Sequence, residues 1–106
     1  MKRKGITIED VRVGAGAVAE KGSTVRIRYD GFLSKGDRFQ HDMECSFRIG
    51  ARLVIAGLEY GVEGMRVGGR RRIKVGPHLA YRDEGVPGVV PPNAVLIFVV
   101  ELLAVE

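Results

Sequence analysis

The sequence predicts an α+β domain: a twisted antiparallel sheet of about five strands wrapped around one short helix. Three observations predict it. Several segments alternate apolar and polar residues with a period of two. One stretch, Leu53 to Met65, switches to helical spacing. The run from Val95 to Leu103 is apolar on both faces, as a central strand should be.

The elements follow in order. Ile6 to Val13 alternates through Ile6, Ile8, Val11 and Val13 with a slip at Glu9-Asp10, which reads as an edge strand carrying a bulge. Gly14 to Gly22 reads as a loop. Its Gly14-Ala15-Gly16-Ala17-Val18-Ala19 matches a loose dinucleotide pattern, but a strand beginning near Thr24 leaves no room for the helix that would receive a pyrophosphate. Thr24 to Phe32 is the cleanest strand, with Val25, Ile27 and Tyr29 on one face and Arg26, Arg28 and Asp30 on the other. Ser34 to Asp37 is turn chemistry. Phe39 follows, then a polar, irregular stretch from Gln40 to Glu44, after which Cys45, Phe47 and Ile49 alternate. Val54, Leu58, Val62 and Met65 recur at helical spacing, while Gly57, Gly61 and Gly64 lower the propensity of that helix, so it should depend on packing against the sheet. Arg71, Ile73 and Val75 mark one more strand. Between Pro77 and Pro92 lies a long loop rich in Pro, Gly and Val; loops of that length are uncommon in compact domains and are often binding or active-site loops.

Size and charge bound the rest. A chain of 106 residues with 45% hydrophobic content reads as one domain, spanning 1–106, able to bury a core without staples. The single cysteine, Cys45, excludes an internal disulfide framework and fits a reducing compartment. The basic start Met1 to Gly5 is followed by no apolar signal region, and no stretch approaches the roughly 20 apolar residues of a membrane span. A cytoplasmic monomer without membrane contact is expected. The net charge is +4, concentrated at Arg66, Arg70, Arg71, Arg72 and Lys74. No aromatic residues interleave with these arginines as a stacking platform needs, so alternate members of the run read as the solvated face of a strand and not as a nucleic-acid surface.

Catalytic side chains are scarce. His41 and His78 fall in predicted loops without a partner at metal-binding spacing. Cys45 alternates with Phe47 and reads as a small buried hydrophobe, not a nucleophile. What stands out is a set of apolar and aromatic residues on several elements: Tyr29, Phe39, Phe47 and Phe98 on or beside strands, Val54, Ile55 and Leu58 at the helix start, and Tyr81, Val89 and Val90 in the long loop. By periodicity alone these are core.

Their order along the chain resembles the FKBP-type peptidyl-prolyl isomerases. The resemblance runs through Val25-Arg26-Ile27-Arg28-Tyr29-Asp30-Gly31, Gly36-Asp37-Arg38-Phe39, Phe47-Arg48-Ile49-Gly50, Val54-Ile55-Ala56-Gly57-Leu58-Glu59-Tyr60-Gly61-Val62, Met65-Arg66-Val67-Gly68, Ala80-Tyr81, Pro91 to Phe98 and Val100-Glu101-Leu102-Leu103. It spans about Gly22 to Glu106, with no domain inserted between Val75 and Val95. The resemblance implies a half-barrel sheet and a shallow apolar cup roofed by the Tyr81 to Pro92 loop. Matched by motif position, Tyr29, Phe39, Phe47, Val54, Ile55, Leu58, Tyr81, Val89, Val90 and Phe98 line it. The Ile55 N–H and the Tyr81 hydroxyl bind peptide carbonyls, Phe39 and Phe98 complete the catalytic set, and Gln40 joins the substrate-binding residues. It implies an isomerase of proline-containing or unfolded chains that uses no metal and no cofactor, with weak affinity for the macrolide ligands of the family.

Four positions depart from the family pattern. Leu58 stands where Trp is usual, Gln40 where Asp is usual, Cys45 where an aromatic is common, and Arg82 where Gly is typical. A smaller floor holds a proline ring less firmly, a neutral amide supplies no orienting charge, and a cation beside Tyr81 either hinders substrates or selects acidic ones. The departures imply a slower isomerase and leave open a peptide-binding module with little catalysis.

Overall fold

The computed structural model describes residues 5–106; the basic run at positions 1–4 lies outside the described residues. Five strands form one sheet: β1 (Ile6–Arg12), β2 (Thr24–Leu33), β3 (Arg38–Arg48), β4 (Arg70–Val75) and β5 (Leu96–Val105). Their spatial order is β1-β4-β5-β2-β3, every neighbouring pair antiparallel. The sheet is open, with β1 and β3 at its edges. The doubly apolar β5 lies at its centre, as its composition predicts. One helix, α1 (Ala56–Val62), packs on the inner face.

Both edge strands carry bulges. In β1 the register shifts between Asp10 and Arg12, so the extra residue is Val11, one place beyond the Glu9-Asp10 slip read from the sequence. In β3 the stretch expected to be irregular is strand throughout. Tyr29 pairs with Met43 but Gly31 with Gln40, so His41 and Asp42 together face Asp30, and Asp42 takes a positive φ. His41 therefore sits on a strand rather than in a loop. The polar run misled because a bulged edge strand has no buried partner on one side and loses its alternation.

The helix is shorter than the predicted Leu53 to Met65. Leu53 is 70% exposed ahead of it, and Gly64, at φ 93°, follows its end. Its glycines explain both its low propensity and its position. A Cβ on Gly57 would collide with Val75, and one on Gly61 with Ile73. The bare face lets the helix backbone lie directly on β4. Arg71 shares the inner face of β4 and fastens the far end. Its Nε donates to Asp10 Oδ1 at 2.7 Å, and its Nη1 donates to the carbonyls of Gly61 at 2.9 Å and Glu63 at 3.2 Å. A cation on the last carbonyls of a helix favours their partial negative charge. Arg70, Arg72 and Lys74 project outward and are exposed, as alternation predicts. Beneath, Val25, Ile27, Ile73, Val75, Leu96, Phe98, Val100, Leu102 and Val62 form the fully buried core.

The segment 77–92 is not a slack loop. A 3-10 turn at Pro77–Leu79 opens it, Gly85 N–H donates to the Tyr81 carbonyl, and Val86 and Val90 exchange two backbone hydrogen bonds of 2.8 Å each. Among the described residues no helix is long and apolar enough to cross a membrane.

Candidate functional site

The inner face of the sheet is sealed by α1 over β4, but ahead of the helix start it stays open. A cavity of about 450 Å³ lies there, bordered by Tyr29, Gln40, Arg52, Leu53, Val54, Ile55, Leu58, Tyr81 and Phe98. It is not filled by the protein's own side chains. Its floor is Leu58, on the first turn of the helix and only 4% exposed.

The aromatic side of the cup is built by packing across strands. Phe98 of β5 stands edge-on to Tyr29 of β2, with ring centroids 5.8 Å apart and an interplanar angle of 70°, and edge-on to Phe39 of β3 at 6.2 Å and 71°. This geometry brings positive ring edges to negative faces. Gly31, paired with both Phe98 and Gln40, makes the arrangement possible. A Cβ there would lie 2.8 Å from Gln40 Oε1, 3.1 Å from Phe39 Cζ and 3.2 Å from Phe98 Cε1.

Three polar groups reach the cup without strong partners. The Ile55 carbonyl accepts from Leu58 and Glu59, but among the described residues the Ile55 N–H finds no acceptor, as befits a residue at a helix N-cap. The Tyr81 hydroxyl makes no hydrogen bond among the described residues, although the segment carrying it is held by backbone bonds. Gln40 donates from Nε2 to the Tyr29 hydroxyl over a long 3.5 Å, and its Oε1 is buried without a partner. Burial, followed by the neighbouring Cys45 and Tyr81, pushes the Tyr29 phenol up from its ordinary value of 10.0, while the Gln40 bond pulls it slightly back. Burial likewise raises the Cys45 thiol, so Cys45 is less of a thiolate than a free cysteine.

Of the residues expected to line the cup, Tyr29, Gln40, Val54, Ile55, Leu58, Tyr81 and Phe98 come together at it. Four do not border it. Phe39 meets Phe98, which does border it, edge-on. Phe47 is buried at 2% exposure because its position, opposite Val25, faces the main core. Val90 is buried by its pairing with Val86, and Val89 projects from the turn, 47% exposed. Arg82, expected beside the cup, borders a separate groove with Pro77, His78, Asp83 and Asn93.

Sequence reading missed Arg52, Leu53 and Glu59. Glu59 is a buried carboxylate on α1 whose Oε2 accepts from the N–H of Gly50 at 3.3 Å and of Arg52 at 2.9 Å, fixing the segment that enters the cup. The one available signal was an acid placed within an apolar helix; nothing in Ala51-Arg52-Leu53 distinguishes it from an ordinary loop. Among the described residues no cluster of His, Cys, Asp or Glu is suited to a metal.

This geometry has close counterparts. The structure is similar to the crystal structure of AtFKBP13, with a TM-score of 0.88 and 31% identity over 97% of this chain and 94% of that one. It is also similar to a peptidyl-prolyl cis-trans isomerase from Pseudomonas syringae pv. tomato, with a TM-score of 0.84 and 29% identity over 95% and 75%. In sequence it is 41% identical to the 46 kDa FK506-binding nuclear protein of Spodoptera frugiperda over 96% of this chain and 26% of that protein. It is 44% identical to FK506-binding protein 4 of Emericella nidulans over 97% and 22%. The chain thus spans about a quarter of the length of such relatives. The family model for FKBP-type peptidyl-prolyl cis-trans isomerases matches residues 16–103, which include the helix, the long turn and all nine residues around the cup. The chain therefore belongs to the FKBP-type peptidyl-prolyl cis-trans isomerase family.

Proposed function

We propose that this chain is a single isomerase domain that turns X-Pro peptide bonds of flexible or unfolded protein chains within the cup. The observation that carries the reading is an open cavity with apolar walls and two donors that find no partner among the described residues, the Ile55 N–H and the Tyr81 hydroxyl, beside a buried floor at Leu58. Rotation about an amide breaks no σ bond and needs no nucleophile. It crosses a barrier of about 18–20 kcal/mol set by resonance. The planar amide is more dipolar than the twisted one, so an apolar surface disfavours the ground state relative to the transition state. Donors on the flanking carbonyls hold the peptide bent. Tyr29, Val54, Leu58 and Phe98 supply the apolar contact, Ile55 and Tyr81 the donors, and Gln40 supports Tyr29. Phe39 acts by holding Phe98. The catalysis is differential binding of a twisted state.

The test is an NMR exchange assay on a short X-Pro peptide, in which acceleration of cis–trans exchange is expected and a rate equal to that in buffer rejects the reading. A second reading, a peptide-binding module with little turnover, is favoured by Leu58 and by the unpartnered Gln40 amide oxygen, which loosen the hold on a proline ring. Saturable peptide binding without faster exchange is its signature. The relatives are named FK506-binding proteins; for this chain a weak macrolide affinity is expected, because Leu58 offers no flat face and Gln40 no charge. Calorimetric titration measures it. The half-buried, unpaired Cys45 suits a reducing compartment, here the cytoplasm, and the cup needs no second subunit to be complete, which fits a monomer.

A further inference from the structure

We infer that Arg52 makes the cup selective for prolines flanked by an acidic residue, an inference that rests on the cup being the peptide site. Arg52 borders the cavity, and every other described residue bordering it is uncharged: two phenols, one amide and apolar side chains. Tyr29 stays protonated well past neutrality because burial raises it. Gln40 brings no negative charge. The cup therefore carries one full charge, and it is positive.

The backbone that carries that charge is fixed, and among the described residues the charge itself is unpaired. Arg52 holds a positive φ of 61°, a region uncommon for residues other than glycine. What fixes it there is the buried Glu59, whose carboxylate accepts the N–H groups of Gly50 and Arg52. The carboxylate is spent on the backbone. Among the described residues the Arg52 guanidinium has no ion pair, whereas Arg12, Arg28, Arg38 and Arg71 each have at least one. Arg82, the cation a reader of the sequence would choose, lies in the neighbouring groove beside Asp83. A guanidinium at the mouth of an apolar hollow, with no acid to answer it, attracts a carboxylate on the peptide that enters and repels an ammonium.

The experiment measures catalysed exchange by NMR, at low and high salt, on peptides Ala-Xaa-Pro-Phe and Ala-Leu-Pro-Xaa with Xaa Glu, Gln or Lys. Glu is expected to exceed Gln by about two- to fivefold at one of the two positions, with Lys below Gln, the spread shrinking at high salt. R52Q should collapse the Glu-to-Lys ratio and R52E invert it. R26Q, which removes an equal charge from the exposed outer strand face, should leave the ratio as it was. Equal acceleration of all six peptides overturns the role of Arg52 while sustaining the isomerase reading. A preference that survives R52Q and vanishes in R82Q overturns it in favour of Arg82. No acceleration and no binding of any peptide overturns the reading of the cup itself, and the selectivity with it.

Discussion

The seam between α1 and β4 and the space ahead of the first turn of α1 are built in opposite ways. Toward its C-terminus the helix presents Gly61 to Ile73, Arg71 ties its last carbonyls, and Asp10 neutralises that arginine. Ahead of its first turn, which Gly57 seats on Val75, a cavity opens, and among the described residues the Ile55 N–H, the Tyr81 hydroxyl and Gln40 Oε1 have no partner. Gly57 and Gly61 set where the helix lies, and the chain ahead of it inherits that position. A site for a passing peptide is built where the fold stops short of satisfying itself.

That contrast can be broken most strongly at the seam. Gly61→Val would drive side-chain atoms into Ile73 and should cost about 3 kcal/mol, read as a lower urea midpoint with unchanged slope. Stability within about 0.5 kcal/mol of the parent, the range of surface substitutions, would mean the helix is not seated on its glycines. At the cup, Leu58→Trp should act on function. A flat indole under the proline should raise turnover about three- to tenfold while overpacking lowers stability by about 1 kcal/mol. No gain in rate shows that the floor is not what limits the cup. Tyr81→Phe removes one unpartnered donor. It should reduce kcat/KM about fivefold, matching the roughly 1 kcal/mol of a neutral hydrogen bond, with thermal stability unchanged. A drop in stability of similar size would instead make the hydroxyl structural.

The smallest effect concerns pH. Cys45 and Tyr29 both have values raised by burial above 9.0 and 10.0, so the folded state holds their protons longer than the unfolded chain does. Their contribution is complete below those unfolded values and is lost as pH rises through the folded ones. Stability should therefore begin to decline in the alkaline range above pH 9.0, Cys45 first. Cys45→Ala should remove the earlier part of that decline in urea titrations taken at rising pH. A flat profile in the parent protein contradicts the burial of both groups.

Most of the sheet was legible because its signals are local and periodic. Val25, Ile27 and Tyr29, or Arg71, Ile73 and Val75, announce a face by alternation alone. The centre of the sheet was legible in Leu96 to Leu102, apolar on both faces. Where pairing is irregular, legibility fails: β3 hides behind two register shifts, and the helix reads too long because Val54 happens to continue its spacing although it lies in the bend ahead of the helix. The cup was legible by likeness for seven of its residues. Phe47 and Val90 point elsewhere because a motif position fixes a place on the chain, whereas the cavity is decided by which face of a strand or turn is left uncovered. Arg52 and Glu59 were hidden for a different reason. Their relation is a backbone-to-side-chain bond between a loop and a helix, which leaves no periodic trace.

Gly31 turns one absent methyl into a shared dependency. Because the vacancy at that strand position is used at once by an amide and two rings from the flanking strands, the depth of the hollow is not adjustable ring by ring. An engineer who wished to reshape the pocket for a bulkier ligand would find that altering Phe39, Gln40 or Phe98 separately disturbs the other two. Substitutions there have to be introduced as a set, with the glycine as their pivot.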